Sequence, residues 1–164
     1  MPLLAKGEFA LVDQAMHTAR EKSVQPVKNG SMAHEHNMYM LLTEAAAQRG
    51  DASALQQYAS MLEELAVRDN HRFYQAIAHR ARGISHRLAG EFVESEARLN
   101  QAEQLFREYG AHWQLGRTFF EMGELGVARS DPDMARQRFA QDVGEFEAIQ
   151  ALPDLERTRA AIPA

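Results

Sequence analysis

The sequence predicts an all-α protein assembled from repeated helical hairpins. Of its 164 residues, 27 are alanine, whereas valine, isoleucine and threonine number only 7, 4 and 4. This composition favours helices over strands. Turn-forming residues divide the chain into segments of roughly 15–20 residues, which is a common helix length. Similar residues also recur at a fixed offset of 40, which indicates an internal repeat.

Composition and charge exclude several classes of function. The chain has no cysteine, which removes disulfides, thiolate zinc sites and thiol nucleophiles. Its net charge of −5 gives no support for binding to a phosphate backbone. No apolar run approaches the ~20 residues of a membrane span, and Lys6, Glu8 and Asp13 lie where a signal peptide needs its apolar core. We therefore expect a cytoplasmic protein that binds neither nucleic acid nor a membrane.

Each predicted helix carries an apolar stripe on an otherwise charged surface. After Gly90, for example, Phe92, Leu99 and Phe106 recur at helical steps along one face. The prolines fall outside these stripes, where each can begin a helix or lie in a connection. The predicted helices span residues 4–22, 33–49, 52–68, 71–89, 92–108, 112–129, 132–150 and 154–161.

These helices group into one predicted domain over residues 1–164. An N-terminal half-repeat helix and linker come first and a short capping helix comes last, with helical pairs between them. The units are residues 1–30 for the half-repeat and linker, 33–68, 71–108 and 112–150 for the three repeats, and 153–162 for the cap.

Small residues recur at matching positions of the repeat. Gly50 and Gly90 align at the turns with Ser130, and Gly83 aligns with Gly123 inside the first helices. Because a glycine inside a helix costs about 1 kcal/mol relative to alanine, this recurrence predicts a close approach between paired helices. The second helices contribute aligned apolar positions, among them Leu99, Ala102, Ala135 and Phe139.

The segment from Ala76 to Phe106 resembles the tetratricopeptide repeat. Gly83, Gly90-Glu91-Phe92, Ser95, Leu99 and Ala102 fill the signature positions of that family. The third copy departs from it with Ser130, Pro132 and Asp142. The period exceeds the usual length of about 34 residues, so the chain is similar to the long-helix repeats in sensor regions of bacterial transcription activators and signalling regulators. Paired helices of the HEAT type are the structural alternative.

The resemblance implies a right-handed α-α superhelix of about three hairpins, with an N-terminal helix and a C-terminal capping helix. It also implies a groove lined by the first helix of each pair, where an acidic and apolar peptide could bind. The groove residues would be Asn37, Met40, Glu44, Arg80, Ile84, Arg87, Arg117, Phe120 and Glu124, together with Ile77 and Val127. In the alternative interpretation, the arginines pair with neighbouring carboxylates.

Other groups of residues support weaker predictions about metal binding, burial and short motifs. The segment His34-Glu35-His36 specifies no third metal ligand, and we expect neither a metal nor a cofactor. His79 and His86 are expected to be buried and hydrogen-bonded, and Trp113, aligned with Phe73, is expected in the core. The tripeptide Arg49-Gly50-Asp51 falls at a predicted turn, and we interpret it as a chance match to an adhesion motif.

The sequence contains no assembled catalytic set, so we expect a protein that is not an enzyme. The favoured function is a protein- or peptide-binding module in a regulatory or scaffolding assembly. The alternative is a ligand-sensing domain of a bacterial regulator, which would bind a small molecule or a signalling peptide. Phe9, Val12 and Met16 need cover, so we further expect either a homodimer formed through the N-terminal half-repeat or a longer parent protein.

Overall fold

The predicted all-α fold is confirmed by the computed structural model, which describes residues 32–162 together with Leu11, Gln14 and Thr18. The described part contains seven helices and no strand. They are α1 (Met32–Arg49), α2 (Ala52–Arg68), α3 (Arg72–Leu88), α4 (Phe92–Glu108), α5 (His112–Ala128), α6 (Pro132–Ala148) and α7 (Leu152–Ala161). The predicted helix 4–22 and its linker lie outside the described residues, except that Leu11, Gln14 and Thr18 are helical.

The connections between helices explain the period of 40. Helices α2 to α6 each have 17 residues, and each connection from α2 to α7 adds three. A residue with positive φ occurs once in every connection: Gly50, Asn70, Gly90, Gly110, Ser130 and Gln150, with φ between 50° and 79°. Each terminates the preceding helix in a left-handed cap. The repeat therefore divides into two halves of equal length.

Polar side chains and proline define three of the helix starts. Asp51 accepts a hydrogen bond from the Ala54 amide at 3.0 Å, and Asp131 does the same for Met134. Both are N-caps at the turn position of the repeat. Proline is favoured in a first helical turn, and α7 accordingly begins at Leu152, one to two residues before the predicted start at Pro153 or Asp154.

Successive helices pack against one another, and the first helices of neighbouring hairpins also touch. Within hairpins, glycines allow the closest approaches. A Cβ on Gly83 would lie 2.6 Å from Leu99 Cγ, and one on Gly123 would lie 2.5 Å from Phe139 Cε1. Side chains at Leu99, Ala102, Ala135 and Phe139 are fully buried. Leu99 and Ala102 belong to the main apolar cluster, whereas Ala135 and Phe139 form a second cluster with Phe120.

Helix α7 occupies the place of the first helix in a fourth unit. Leu155 and Thr158 are buried and lie 40 residues after Leu115 and Thr118. At the position where α5 has Gly116 against Phe146 and α1 has the buried His36, α7 has the exposed Glu156.

Two glycines provide a matched test of this packing. Gly126→Ala should lower the free energy of unfolding by about 1–3 kcal/mol, the usual cost of overpacking, because its Cβ would lie 2.7 Å from the backbone nitrogen of Ala135. Gly144→Ala on the exposed side of α6 meets nothing within 4 Å and should raise it by up to about 1 kcal/mol. Urea unfolding measures both, and equal effects would contradict the predicted close packing.

Candidate functional site

The candidate site is the face of the first helices that carries the predicted groove residues, hereafter the first-helix face. The predicted groove residues differ in their exposure to solvent. Glu44, Arg80, Ile84, Arg117 and Phe120 are buried, Met40, Arg87 and Glu124 are partly buried, and Asn37 is exposed. Ile84 faces Leu55 and Ala59 of α2 rather than the other groove residues. The rest form a polar surface shared by α1, α3 and α5.

One buried carboxylate joins all three hairpins. Glu44 on α1 accepts a hydrogen bond through Oε1 from Arg80 Nη2 on α3. Its other oxygen, Oε2, lies 2.7 Å from Arg117 Nη2 on α5. The side chains of all three residues are at most 9% exposed. We call this group the Glu44 triad.

The two arginines of the Glu44 triad have further partners. Arg80 Nη1 donates to the Gln114 side-chain oxygen at 2.6 Å, and its guanidinium lies 5.4 Å from the Phe106 ring centroid. The Arg117 guanidinium lies 5.2 Å from the Trp113 ring, which is cation–π geometry. Arg117 Nε has no hydrogen-bond partner.

The electrostatic balance of the triad favours an ionised Glu44. Burial by itself would raise the pKa of this carboxyl group. The charges of Arg117 and Arg80, with the hydrogen bond from Arg80, outweigh burial and lower the pKa of Glu44 from 4.5 to about 2. The carboxylate is therefore charged at neutral pH, as two buried guanidiniums require.

A second Arg–Glu–Arg group lies nearer the C-terminal end. Arg87 Nη2 binds Glu121 Oε2 at 2.9 Å, and Arg157 Nη2 on α7 lies 3.8 Å from Glu121 Oε1. Arg87 also approaches Glu124 at 3.7 Å, and Arg157 lies 3.9 Å from the Phe120 ring centroid. This Glu121 triad is looser and more open than the first, since Arg157 is 38% exposed.

The alternative interpretation of the arginines is thus confirmed, because Arg80, Arg87 and Arg117 all pair with carboxylates. Sequence reasoning missed Glu121 and Arg157 as members of this face. The signal for Arg157 was its offset of 40 from Arg117, whereas nothing in the repeat pattern marks Glu121. Solvent access remains at Asn37, Met40, Arg87, Glu124 and Val127.

The histidines serve as packing and hydrogen-bonding residues. His36 is buried and stacks on Tyr74 at 4.7 Å, whereas the side chain of His34 lies outside the described residues. His79 is partly buried and contacts Arg98 at 3.0 Å, and burial lowers its pKa. His86 is also partly buried and pairs with Glu91 at 2.6 Å. The expected hydrogen bonds of His79 and His86 are present.

The predicted core position of Trp113 is wrong, because this side chain is 37% exposed. Its repeat equivalent Phe73 packs against Phe106 and Tyr109. Trp113 instead faces the C-terminal end, where its Nε1 donates to Asp154 of α7 at 3.2 Å.

A small cleft lies between α1 and α2, away from the Glu44 triad. It has a volume of about 320 Å³ and an apolar floor of Tyr39, Met61 and Leu65, with Glu35, Glu64 and Arg68 at its edges. Arg49-Gly50-Asp51 forms the connection between the same two helices, as the turn signal predicted.

Among the described residues, no three histidine or acidic side chains are placed to hold a metal ion, and no helix is long and apolar enough to cross a membrane. Comparison with protein-family models and with curated proteins finds no match.

Removing the charge of Glu44 should destabilise the whole stack. In Glu44→Gln, two buried guanidiniums lose their counter-charge, and breaking a buried pair in this way costs about 3–5 kcal/mol. The matched control is Glu64→Gln, because the Glu64 carboxylate is exposed on α2. This substitution should change the free energy of unfolding by less than about 0.5 kcal/mol. Urea unfolding at neutral pH compares the two, and similar losses would contradict a special role for Glu44.

The lowered pKa of Glu44 also predicts an acid-dependent loss of stability. Its contribution is fully present above the unfolded value of 4.5 and is lost as the pH falls through about 2. At roughly 1.4 kcal/mol per unit of pKa shift, the loss is on the order of 3 kcal/mol. Unfolding measured between pH 5 and pH 2 should show this slope in the native protein and lack it in Glu44→Gln. An unchanged slope in the variant would contradict the assignment.

Proposed function

We propose that this chain is a non-enzymatic repeat module of the tetratricopeptide type that binds a protein or peptide partner. The observation that carries the proposal is the stacking of three hairpins whose first helices share one polar face. In repeat proteins, stacking of this kind creates an extended surface that one partner segment can contact along several units. The resemblance further suggests a regulatory or scaffolding assembly in the bacterial cytoplasm.

The tetratricopeptide assignment is supported by the packing of its signature positions. Gly83 lies against Leu99, Ser95 donates to the Gly83 carbonyl at 2.8 Å, and Ala102 has no exposed surface. Each small residue thus lies where two helices cross. The repeats differ from the usual type in their longer helices, which the equal half-periods of 20 residues accommodate.

The accessible part of the first-helix face suggests the chemistry of the partner. Met40 and Val127 offer apolar contacts, while Asn37, Arg87 and Glu124 offer an amide and both signs of charge. Arg87 Nε is buried and lacks an acceptor. A peptide that combines apolar side chains with a carboxylate near Arg87 fits this surface. A homodimer formed through the N-terminal half-repeat remains part of the proposal for partners.

A ligand-sensing domain is the second candidate function, favoured by one observation. Arg117 Nε and Asp142 Oδ1 are a buried donor and a buried acceptor, each without a hydrogen-bond partner. Buried polar groups are nearly always paired, so a small polar ligand that supplies the missing atoms would stabilise the fold. A specific rise in melting temperature with a metabolite, and not with peptides, would favour sensing.

Site-specific photo-crosslinking tests the partner-binding proposal directly. A benzophenone amino acid in place of Met40 or Val127 should capture a partner in cells of the source organism. The same probe in place of Val93, which is 70% exposed on α4, is the control for random collision. Equal capture from all three positions would contradict binding at the first-helix face.

A peptide from the captured partner then tests the chemistry. Arg87→Gln should weaken its binding about tenfold or more, since a hydrogen bond to a charged group contributes about 1.5–3 kcal/mol. Arg72→Gln removes an exposed arginine that pairs with Glu108 at the start of α3 and should leave binding unchanged. Calorimetric titration measures both variants, and equal affinities would exclude Arg87 from the contact.

A further inference from the structure

The short helix α7 is held on the third hairpin by a few specific contacts. Leu155 is its main buried apolar residue. Thr158 Oγ1 donates to Asp142 Oδ2 on α6, Asp154 accepts from Trp113 on α5, and Arg157 lies over Phe120. Few buried apolar contacts are typical of an element that opens locally before the rest of a protein unfolds.

Asp142 is the unusual member of this contact. Its side chain has no exposed surface, and its Oδ1 atom has no hydrogen-bond partner. The equivalent residue of the preceding repeat is Ala102. Asp142 therefore places a carboxyl group, in contact with α7, at a position where that repeat has an apolar side chain. A buried carboxylate with one unpaired oxygen is costly in its charged form.

The groups that face Asp142 come from both helices packed against α6. Burial raises the pKa of Asp142 from 3.8 to about 7. The hydrogen bond from Thr158 and the charges of Arg157 on α7 and Arg117 on α5 lower it, whereas the charge of Asp154 on α7 raises it. Burial prevails over the two arginines because neither makes an ion pair with this carboxyl group among the contacts of the described residues.

We propose that Asp142 is a proton-operated latch: its neutral carboxyl group keeps α7 docked on the third hairpin, and its ionisation releases α7. Release would uncover Phe120, against which Arg157 and Ala161 of α7 lie, and would remove Arg157 from Glu121. The latch would therefore control access to the C-terminal part of the first-helix face.

The direction of the pH dependence follows from linkage. When α7 is detached, Asp142 is in water and has its ordinary pKa, so it ionises at lower pH than when α7 is docked. Docking is strongest below about pH 4, weakens as the pH rises, and changes no further above about 7. A difference of about three pKa units corresponds to an opening constant that rises up to about a thousandfold.

Hydrogen exchange of the full chain tests the latch without any partner. After correction for intrinsic exchange rates, amides of residues 152–161 should lose protection between pH 5 and pH 8, while those of α4 should not. Asp142→Asn cannot ionise and should make α7 protection independent of pH. Asp133→Asn, on the exposed start of the same helix, should behave as the native protein does.

Fluorescence gives an independent readout, because Trp113 is the only tryptophan of the chain and it contacts α7. Its emission should change over the same pH range in the native protein and remain constant in Asp142→Asn. His112, which precedes Trp113 in the chain, pairs with Glu145. The variant His112→Gln is the control for an effect of this neighbouring histidine on the fluorescence, and it must retain the transition. The latch is overturned if α7 and α4 show the same pH dependence, or if Asp142→Asn titrates as the native protein does.

This inference rests on the proposed function only in one respect, namely that the uncovered surface serves a partner. Exchange and fluorescence report the docking of α7 itself, whereas crosslinking at Met40 and Val127 reports partner binding. Failure of one proposal is therefore distinguishable from failure of the other.

Discussion

The Glu44 carboxylate is the constraint on which the arrangement of the three hairpins depends. It supplies one oxygen to Arg80 of the second hairpin and the other to Arg117 of the third. In a repeat stack, each unit normally contacts only its neighbours. The contact from α1 to α5 passes over α3 and couples units that are not adjacent. One side chain thus links the first hairpin to both of the others.

The triad need not add net stability to have this effect. Desolvating an arginine and a glutamate costs several kcal/mol per ion, and well-packed apolar residues are often as stabilising. Apolar packing, however, tolerates many rearrangements of similar volume, whereas a buried charge left unpaired is strongly penalised. Our hypothesis is that Glu44 restricts the curvature of the stack. The Glu121 triad repeats the arrangement with a longer contact and greater exposure, so its end of the stack is less constrained.

Local features of this fold could be predicted from the sequence, and long-range ones could not. Glycine and asparagine mark four of the six left-handed turn positions, and the apolar stripes mark the helices between them. Gln150 adopts φ of 57° only because the register demands it, and its residue type gives no warning. The pairing of Glu44 with Arg117 depends on curvature across 73 positions, which no local pattern encodes. Repeat alignment placed Trp113 with Phe73, but its indole donates to Asp154 on α7 and stays partly exposed.

The last hairpin departs from the repeat at Asp142, and the helix that follows it departs at Glu156. Helix α7 has the exposed Glu156 where α5 has the packing residue Gly116. This helix buries one apolar side chain, Leu155. Its attachment therefore relies on polar contacts, and Asp142 with Thr158 is the most buried of them. A cap fastened by a buried carboxyl group is necessarily sensitive to protons, since the charge that the interior disfavours is the form that water favours. The contact between α6 and α7 therefore both attaches the last helix and makes its docking depend on pH.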